Sequence, residues 1–284
     1  MQHDLRTDPT HGTKVHIVGS RQNRPVLATN VDSQSCPFCV GGLEAPSHYD
    51  VRWFPNRWPA MPDERCDVVL YSPDHTATWS SMSVEHIERI IELWVERTAA
   101  QSARDDVACV FVFENRGAEL GATIEHPHGQ IYAFHHMPIR SGERLSWMPP
   151  SQPDLVVTDN DHWSCAVPLA SAYPVALELW PNSRAADLMS LSVEQRHGLA
   201  SLLRDVMTRL DQLFSVPLPY MLWINQRDFS SSAEQRHWLH IEIVSPWRGQ
   251  NLMRYIAAAE VGTGEYFNPK TPESLAAQLA GRAE

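Results

Sequence analysis

The sequence predicts an α+β fold of two tandem related units, each an antiparallel sheet with a helix. Three observations predict it: a long amphipathic helix in each half, two short strand-like runs after each helix, and an offset of about 110 positions relating corresponding residues in the halves. The chain has 284 residues, 43% of them hydrophobic, which is enough to bury a substantial core.

In chain order, Ser83 to Gln101 places Ile87, Ile90, Ile91, Trp94 and Val95 at helical spacing, with Ser83 as the N-cap. Val107 to Phe113 is a β-branched and aromatic run that reads as a strand. Gly129 to Phe134 resumes strand character after a glycine-bearing turn. The second half repeats this plan, with a helix over Ser192 to Phe214 and strands over Tyr220 to Asn225 and His240 to Val244. Met82-Ser83-Val84-Glu85 recurs as Leu191-Ser192-Val193-Glu194, Asn115 falls near Asn225, and His128-Gly-Gln130-Ile aligns with His240-Ile-Glu242-Ile. Pro149 to Pro153 is proline-rich and reads as a linker, because its prolines sustain neither helix nor central strand. The predicted units are therefore residues 1–148 and 154–284.

A net charge of -11 argues against a nucleic-acid partner, whose binders concentrate Lys and Arg on one face. The N-terminus lacks a signal-peptide pattern, and no stretch approaches the roughly 18 apolar residues of a membrane helix. A cytoplasmic enzyme acting on a small molecule is the expectation. Five cysteines with one close pair make a disulfide framework a poor reading and metal ligation a better one.

Cys36-Pro37-Phe38-Cys39 has the spacing that brings two thiolates to one tetrahedral zinc, which is half a site; a thioredoxin-like redox pair is the rival, without the βαβ context it needs. In His126-Pro127-His128-Gly129-Gln130, strand alternation turns His126, His128 and Gln130 to one face. Gly117, Gly121 and Gly129 surround them, in a loop whose backbone N–H groups can approach a phosphate.

These motifs, with Tyr71-Ser-Pro-Asp-His75 and Phe113-Glu-Asn115-Arg-Gly117 between them, resemble the galactose-1-phosphate uridylyltransferase family of the histidine triad superfamily. The likeness runs from Arg21-Gln-Asn-Arg24, through Phe54-Pro-Asn56-Arg-Trp58-Pro-Ala60, to Glu260 and Asn268. The resemblance implies two histidine-triad-like units and one structural zinc on Cys36, Cys39, His75 and His126. It implies His128 as the nucleophile on the α-phosphorus of UDP-glucose, giving a uridylyl-histidine that a second sugar 1-phosphate then takes. Such chemistry suits a neutral imidazole near pH 7. Gln130 stands where hydrolytic relatives carry a third histidine; an amide can donate a hydrogen bond to phosphoryl oxygen and favours transfer over hydrolysis.

By the same carry-over, Asn56 lies near the nucleoside, and Asn115, Gly121 and Thr123 cradle the phosphates. Arg21 and Arg24 are phosphate ligands, Arg24 reaching a neighbouring subunit, while Arg254, Tyr255 and Glu260 contact the hexose. A homodimer is implied, with sugar pocket and dimer contacts in the C-terminal unit.

The sequence departs from the family pattern in places. The positions of a second metal site read as Asp161, Asn225, His240 and Glu242, a set too poor in histidine for a transition metal, so His237 and His240 read as structural and Glu242 as a pairing partner. Ala259 and Arg57 replace a tyrosine and an acidic residue of some members. Two alternatives follow: transfer of the nucleotide to inorganic phosphate or a specialised sugar phosphate, and a nucleotide-sugar-binding module without turnover. An acceptor screen separates the first, and binding without product formation identifies the second.

Overall fold

The computed structural model describes residues 3–23, 35–231 and 237–282. Strands β1 (His3–Thr7) and β2 (Lys14–Val18) form an N-terminal hairpin. Nine further strands make one antiparallel sheet: β3 (Arg52–Pro55), β4 (Cys66–Leu70), β5 (Cys109–Arg116), β6 (His128–Phe134), β7 (Val156–Asp159), β8 (Trp163–Ala166), β9 (Val175–Pro181), β10 (Tyr220–Asn225) and β11 (His240–Ser245). Their order across the sheet is β3-β4-β6-β5-β10-β11-β9-β8-β7.

That order contains the repeat. β3-β4-β6-β5 in one half matches β8-β9-β11-β10 in the other, and the halves meet where β5 pairs with β10. The sequence suggested a sheet in each unit; the two are fused into one, because the β5 and β10 edges satisfy each other's backbone groups. β5 begins two residues later than expected and runs on to Arg116, since Glu114, Asn115 and Arg116 pair with β10.

Helix α1 (Val84–Ser102) starts at Ser83, whose side chain accepts from the His86 N–H. α3 (Val193–Gln212) starts at Ser192, which forms a capping box with Gln195. Each such cap contributes about 1 kcal/mol. Both helices bury their apolar stripes on one face of the sheet: Ile87, Ile90, Ile91 and Trp94 from α1, and Leu199, Leu203, Val206 and Leu210 from α3, meet Val69, Val112, Ile131, Leu222 and Ile241. α2 (Ile139–Arg144) links the halves, and α4 (Ala258–Thr263) and α5 (Pro272–Leu279) close the chain, α5 adding Leu275, Ala276 and Leu279 to the core. Among the described residues no helix is long and apolar enough to cross a membrane.

The other face of the sheet positions the site. Cross-strand partners share a face, so the register defines a single rung: Phe54, Val68, Gln130, Phe113, Trp223, Glu242, Glu178, Ala166. In the first half this face is covered by the loop carrying Cys36, Phe38, Ala45 and Tyr49, packed on Val68 and Leu70. In the second half it is covered by Trp147 and Leu155, packed with Ala166 and Trp180.

Gly129 sits on the helix side of β6. A Cβ there would come within 2.0 Å of the Tyr71 hydroxyl oxygen. The Tyr71 ring cannot yield, being held between Trp79 at 5.0 Å and Trp94 at 5.9 Å. The residue after His128 is glycine because the core reaches up to its backbone.

Candidate functional site

The cysteine loop is built on a tight turn: Cys39 N–H donates to the Cys36 carbonyl at 3.3 Å, and Gly42 N–H to the Cys39 carbonyl at 2.8 Å. A side chain at Gly42 would lie within 2.8 Å of the carbonyl oxygens of Cys36, Pro37 and Cys39, so only glycine closes the turn. It brings both sulfurs to His75 and His126, and the four ligand atoms lie within 4.8 Å of one another. Cys39 Sγ is 3.5 Å from His75 Nδ1 and 3.6 Å from His126 Nδ1, and Cys36 Sγ is 3.8 Å from His126 Nδ1. A tetrahedral ion with zinc-like bond lengths separates its sulfur and nitrogen donors by about 3.6 Å, so the cage fits one.

Protonation states agree with that fit. The His126 ring sits 2.7 Å from the Ser72 carbonyl through Nε2, which fixes the proton there and leaves the Nδ1 lone pair facing the sulfurs. Burial pushes His126 down to about 4, keeping it neutral. Burial, and then the neighbouring Cys36, push the Cys39 thiol up to about 11; a bound divalent cation reverses that by stabilising thiolates. The Tyr49 hydroxyl, within 3.0 Å of His126 Nε2, ties the loop to this histidine.

His128 opens β6. Its Nδ1 lies 2.8 Å from the His126 carbonyl oxygen, which makes Nδ1 the protonated nitrogen and Nε2 the basic one. The edge of Phe38 meets its ring at 5.1 Å. His128 and Ile124 divide two clefts. One, of about 400 Å³, is lined by Phe38, Phe54, Val68, Asn56, Thr123 and Gln130; the other, of about 480 Å³, is lined by Asn115, Arg116, Gly117, Glu119, Trp247 and Asn251.

In the smaller cleft, Gln130 Oε1 accepts from Asn56 Nδ2 at 3.3 Å and from the Tyr132 hydroxyl at 3.4 Å. With the amide oxygen so engaged, the NH2 group is the end turned away from them. Asn56 is itself oriented, its Oδ1 accepting from Trp58 N–H at 2.9 Å. Tyr132, one strand repeat beyond Gln130 on the same face, was missed at the sequence level, although alternation along β6 points to it.

The other expected residues fall in three places. Asn115 lines the larger cleft, and continuing the β5–β6 register sets it beside His128. Gly121, with φ 83°, ends the exposed turn before Thr123, while Arg21 lies in the short 3-10 turn after β2; neither lines the clefts. Arg24 lies outside the described residues. Arg254, Tyr255 and Glu260 also stand away from both clefts. Arg254 pairs with Glu260 and donates to the Ala172 carbonyl at 2.7 Å, and Glu260 accepts from the backbone of Ala257 and Phe267, both at 3.0 Å. Tyr255 is 76% exposed. In the second half the carboxylate opposite Glu242 is Glu178, not Asp161, which is exposed in the turn before β8.

Behind the larger cleft, sequence reading also missed Glu114. It is 5% exposed, and its carboxylate accepts from Trp79 Nε1–H at 3.0 Å and from the Tyr220 hydroxyl at 2.6 Å. Burial pushes its carboxyl up to about 7.

Comparison with known proteins agrees over most of the chain. Residues 56–138 match the family described as galactose-1-phosphate uridyl transferase, N-terminal domain, and residues 119–263 match its C-terminal domain. The chain is 31% identical to the galactose-1-phosphate uridylyltransferase of Thermotoga maritima, covering 97% of each chain. It is 28% identical to the enzyme of that name from Streptomyces lividans, over 92% of this chain and 80% of that one. A solved uridylyltransferase structure superposes with a TM-score of 0.85 at 23% identity, covering 99% of this chain and 98% of that one, and shares the fold.

Glu114 has a consequence for stability. Its folded pKa lies above the ordinary glutamate value of 4.5, so between the two the folded state holds a proton that the unfolded state releases. The Glu114 contribution to stability is therefore full below about pH 4.5 and falls as pH rises toward 7, by on the order of 1–3 kcal/mol. Because buried His126 contributes with the opposite sign, the test is the difference: from pH 5 to pH 8, urea unfolding should show the native protein losing more stability, or gaining less, than Glu114→Gln. Equal changes in both would mean that Glu114 does not titrate in this range.

Proposed function

From its membership of the galactose-1-phosphate uridylyltransferase family, which the chain has over both domains, we propose that it works by a covalent uridylyl-His128. The chain is a nucleotidyltransferase that moves a uridylyl group between a UDP-hexose and a sugar 1-phosphate, in galactose metabolism. The observation that carries the mechanism is the His128 Nδ1–H held 2.8 Å from the His126 carbonyl, with the ring at the divide between two clefts.

His128 Nε2 attacks the α-phosphorus, an N–P bond forms, and the bond from that phosphorus to the bridging oxygen breaks, releasing hexose 1-phosphate. The ring becomes cationic, and the His126 carbonyl stabilises it through the retained Nδ1 proton. A phosphate monoester has a second pKa of about 6, so it leaves near pH 7 without a proton donor. That explains why an amide suffices at Gln130: it donates to phosphoryl oxygen and supplies no proton. The second sugar 1-phosphate reverses these bonds, its oxygen attacking phosphorus and restoring neutral His128.

The smaller cleft, with Phe38 and Phe54 beside Asn56, suits a nucleoside; Thr123 on its wall, Asn115 on the other side of His128 and Gly121 in the turn leading to Thr123 suit the phosphates. Zinc is the ion the two-cysteine, two-histidine cage suits, and with its four positions filled it supplies structure and no open site. Five unpaired thiols fit a reducing cytoplasm. Residues 1–148 carry the nucleophile, and 154–284 carry the hexose contacts. Because Arg254, Tyr255 and Glu260 lie outside both clefts of their own chain, we assign their contribution to a homodimer, in which Arg21 and Arg24 also reach phosphate. Exposed Tyr255, Val261 and Phe267 around α4 support an apolar contact there.

Three measurements test this reading. Incubation with UDP-glucose and no acceptor should add one uridylyl mass to the native chain and none to His128→Ala; an adduct on the variant would remove His128 from its role. Elemental analysis should find one zinc per chain, with Cys39→Ser losing it and melting several degrees lower; metal-free, fully folded native protein would contradict the cage. Sedimentation at micromolar concentration should give a dimer that Phe267→Asp weakens, and a native monomer would exclude the shared hexose site.

A further inference from the structure

The second half contains a counterpart of the His128 cleft, position for position. The sheet order pairs β6 with β11, β5 with β10, β4 with β9 and β3 with β8. Glu242 then stands for Gln130, Glu178 for Val68 and Ala166 for Phe54, all on one rung of the sheet. His240 stands for His128, at the first residue of its strand. Its Nδ1 lies 2.9 Å from the carbonyl of Trp238, two residues earlier, as His128 Nδ1 lies 2.8 Å from the carbonyl of His126. Asn225 pairs with His240 as the extended register sets Asn115 beside His128.

In the first half, the space over Phe54, Val68 and His128 is an open cleft. In the second half the chain's own Trp147 fills it. Its indole stacks on His240 at 4.1 Å and 15°, meets Trp180 at 5.9 Å, and donates from Nε1 to Glu178 Oε1 at 3.2 Å. Leu155, Ala166 and Trp238 pack around it. Arg144, at the end of α2, brings Nη2 to Glu242 Oε2 at 3.0 Å and Nη1 to Glu178 Oε1 at 3.6 Å, bridging the two carboxylates with one positive charge.

We infer that the C-terminal half holds a closed copy of the His128 cleft, in which the Trp147 indole is a built-in ligand seated in a slot for a planar heteroaromatic ring bearing an N–H donor. The slot has a flat floor in the His240 ring, an apolar wall in Ala166, Leu155 and Trp180, and an acceptor in Glu178. It takes no nucleotide phosphate, because Glu242 and Glu178 occupy the positions that a phosphoryl group would have to approach. His240 is buried at 0% exposure beneath the indole. One half of the chain thus binds a ligand from solution, and the other binds itself.

Removing the indole should leave a mostly apolar cavity that a matching ring refills. In the full chain, Trp147→Ala should melt several degrees lower than the native protein. Millimolar indole should raise its melting temperature by at least about 2 °C while leaving the native protein unmoved. Naphthalene, a planar fused bicycle one ring atom larger and without N–H, should bind at least fivefold more weakly. Trp147→Phe, whose ring blocks the slot, should show no indole response and should keep native kcat/KM for uridylyl transfer, which separates failure of this inference from failure of the His128 mechanism. If Trp147→Ala does not fold alone, refolding with indole should recover soluble, active enzyme. No melting shift with indole, no recovery on refolding, or equal binding of naphthalene would each overturn the inference.

Discussion

The site depends on one residue that works through two of its groups. The His126 side chain belongs to the Cys36, Cys39, His75 and His126 cluster that could hold a metal ion, and its backbone carbonyl accepts from Nδ1 of His128. The two residues are separated only by Pro127, whose fixed φ leaves little freedom between the ligand cluster and the His128 ring. Loosening the cysteine loop would therefore be felt at the His128 imidazole through that carbonyl. A structural ion can control a reaction in this way without touching a reacting atom.

The sheet makes the two halves equivalent, and the segments laid across its open face make them different. The first half receives a glycine-closed loop with two cysteines, which leaves clefts on either side of His128. The second receives α2 and the chain after it, with Arg144 and Trp147 seated on the rung. Asn115 and Asn225, and His128 and His240, are retained in both, so the backbone frame survives where the chemistry does not. The change from Gln130 to Glu242 matters most, because an amide that can donate a hydrogen bond becomes a carboxylate that can only accept one.

Much of this was legible in the sequence, for physical reasons that vary by element. α1 and α3 announce themselves by a 3.6-residue apolar period and serine caps, and β6 and β11 by alternation around a histidine. β8 and β9 are harder to read: β8 spans four residues, and β9 is buried on both faces and carries Glu178 inside, so neither shows a clean period. The cage and His128 were legible as an ordered set of motifs, although the spacing of Cys36 and Cys39 alone left their partners open. Glu178 acquires meaning only through cross-strand register, and Trp147 only through a long-range stack, neither of which a local pattern encodes. Trp147 in particular sits beside a proline-rich stretch that reads as connecting chain, and its stack on His240 spans more than ninety positions.

The seam between β5 and β10 bears on how such a chain can be divided or built. Residues 112–116 and 220–224 supply each other's ladder hydrogen bonds at the middle of the sheet. Either half, expressed by itself, would carry a bare inner edge of six to eight residues, an invitation to pair with the same edge of an identical fragment. The approximate twofold relation across Phe113 and Trp223 is the geometry two such fragments would adopt. In the fused chain that pairing is intramolecular, so it does not depend on concentration, and the two copies need not be identical.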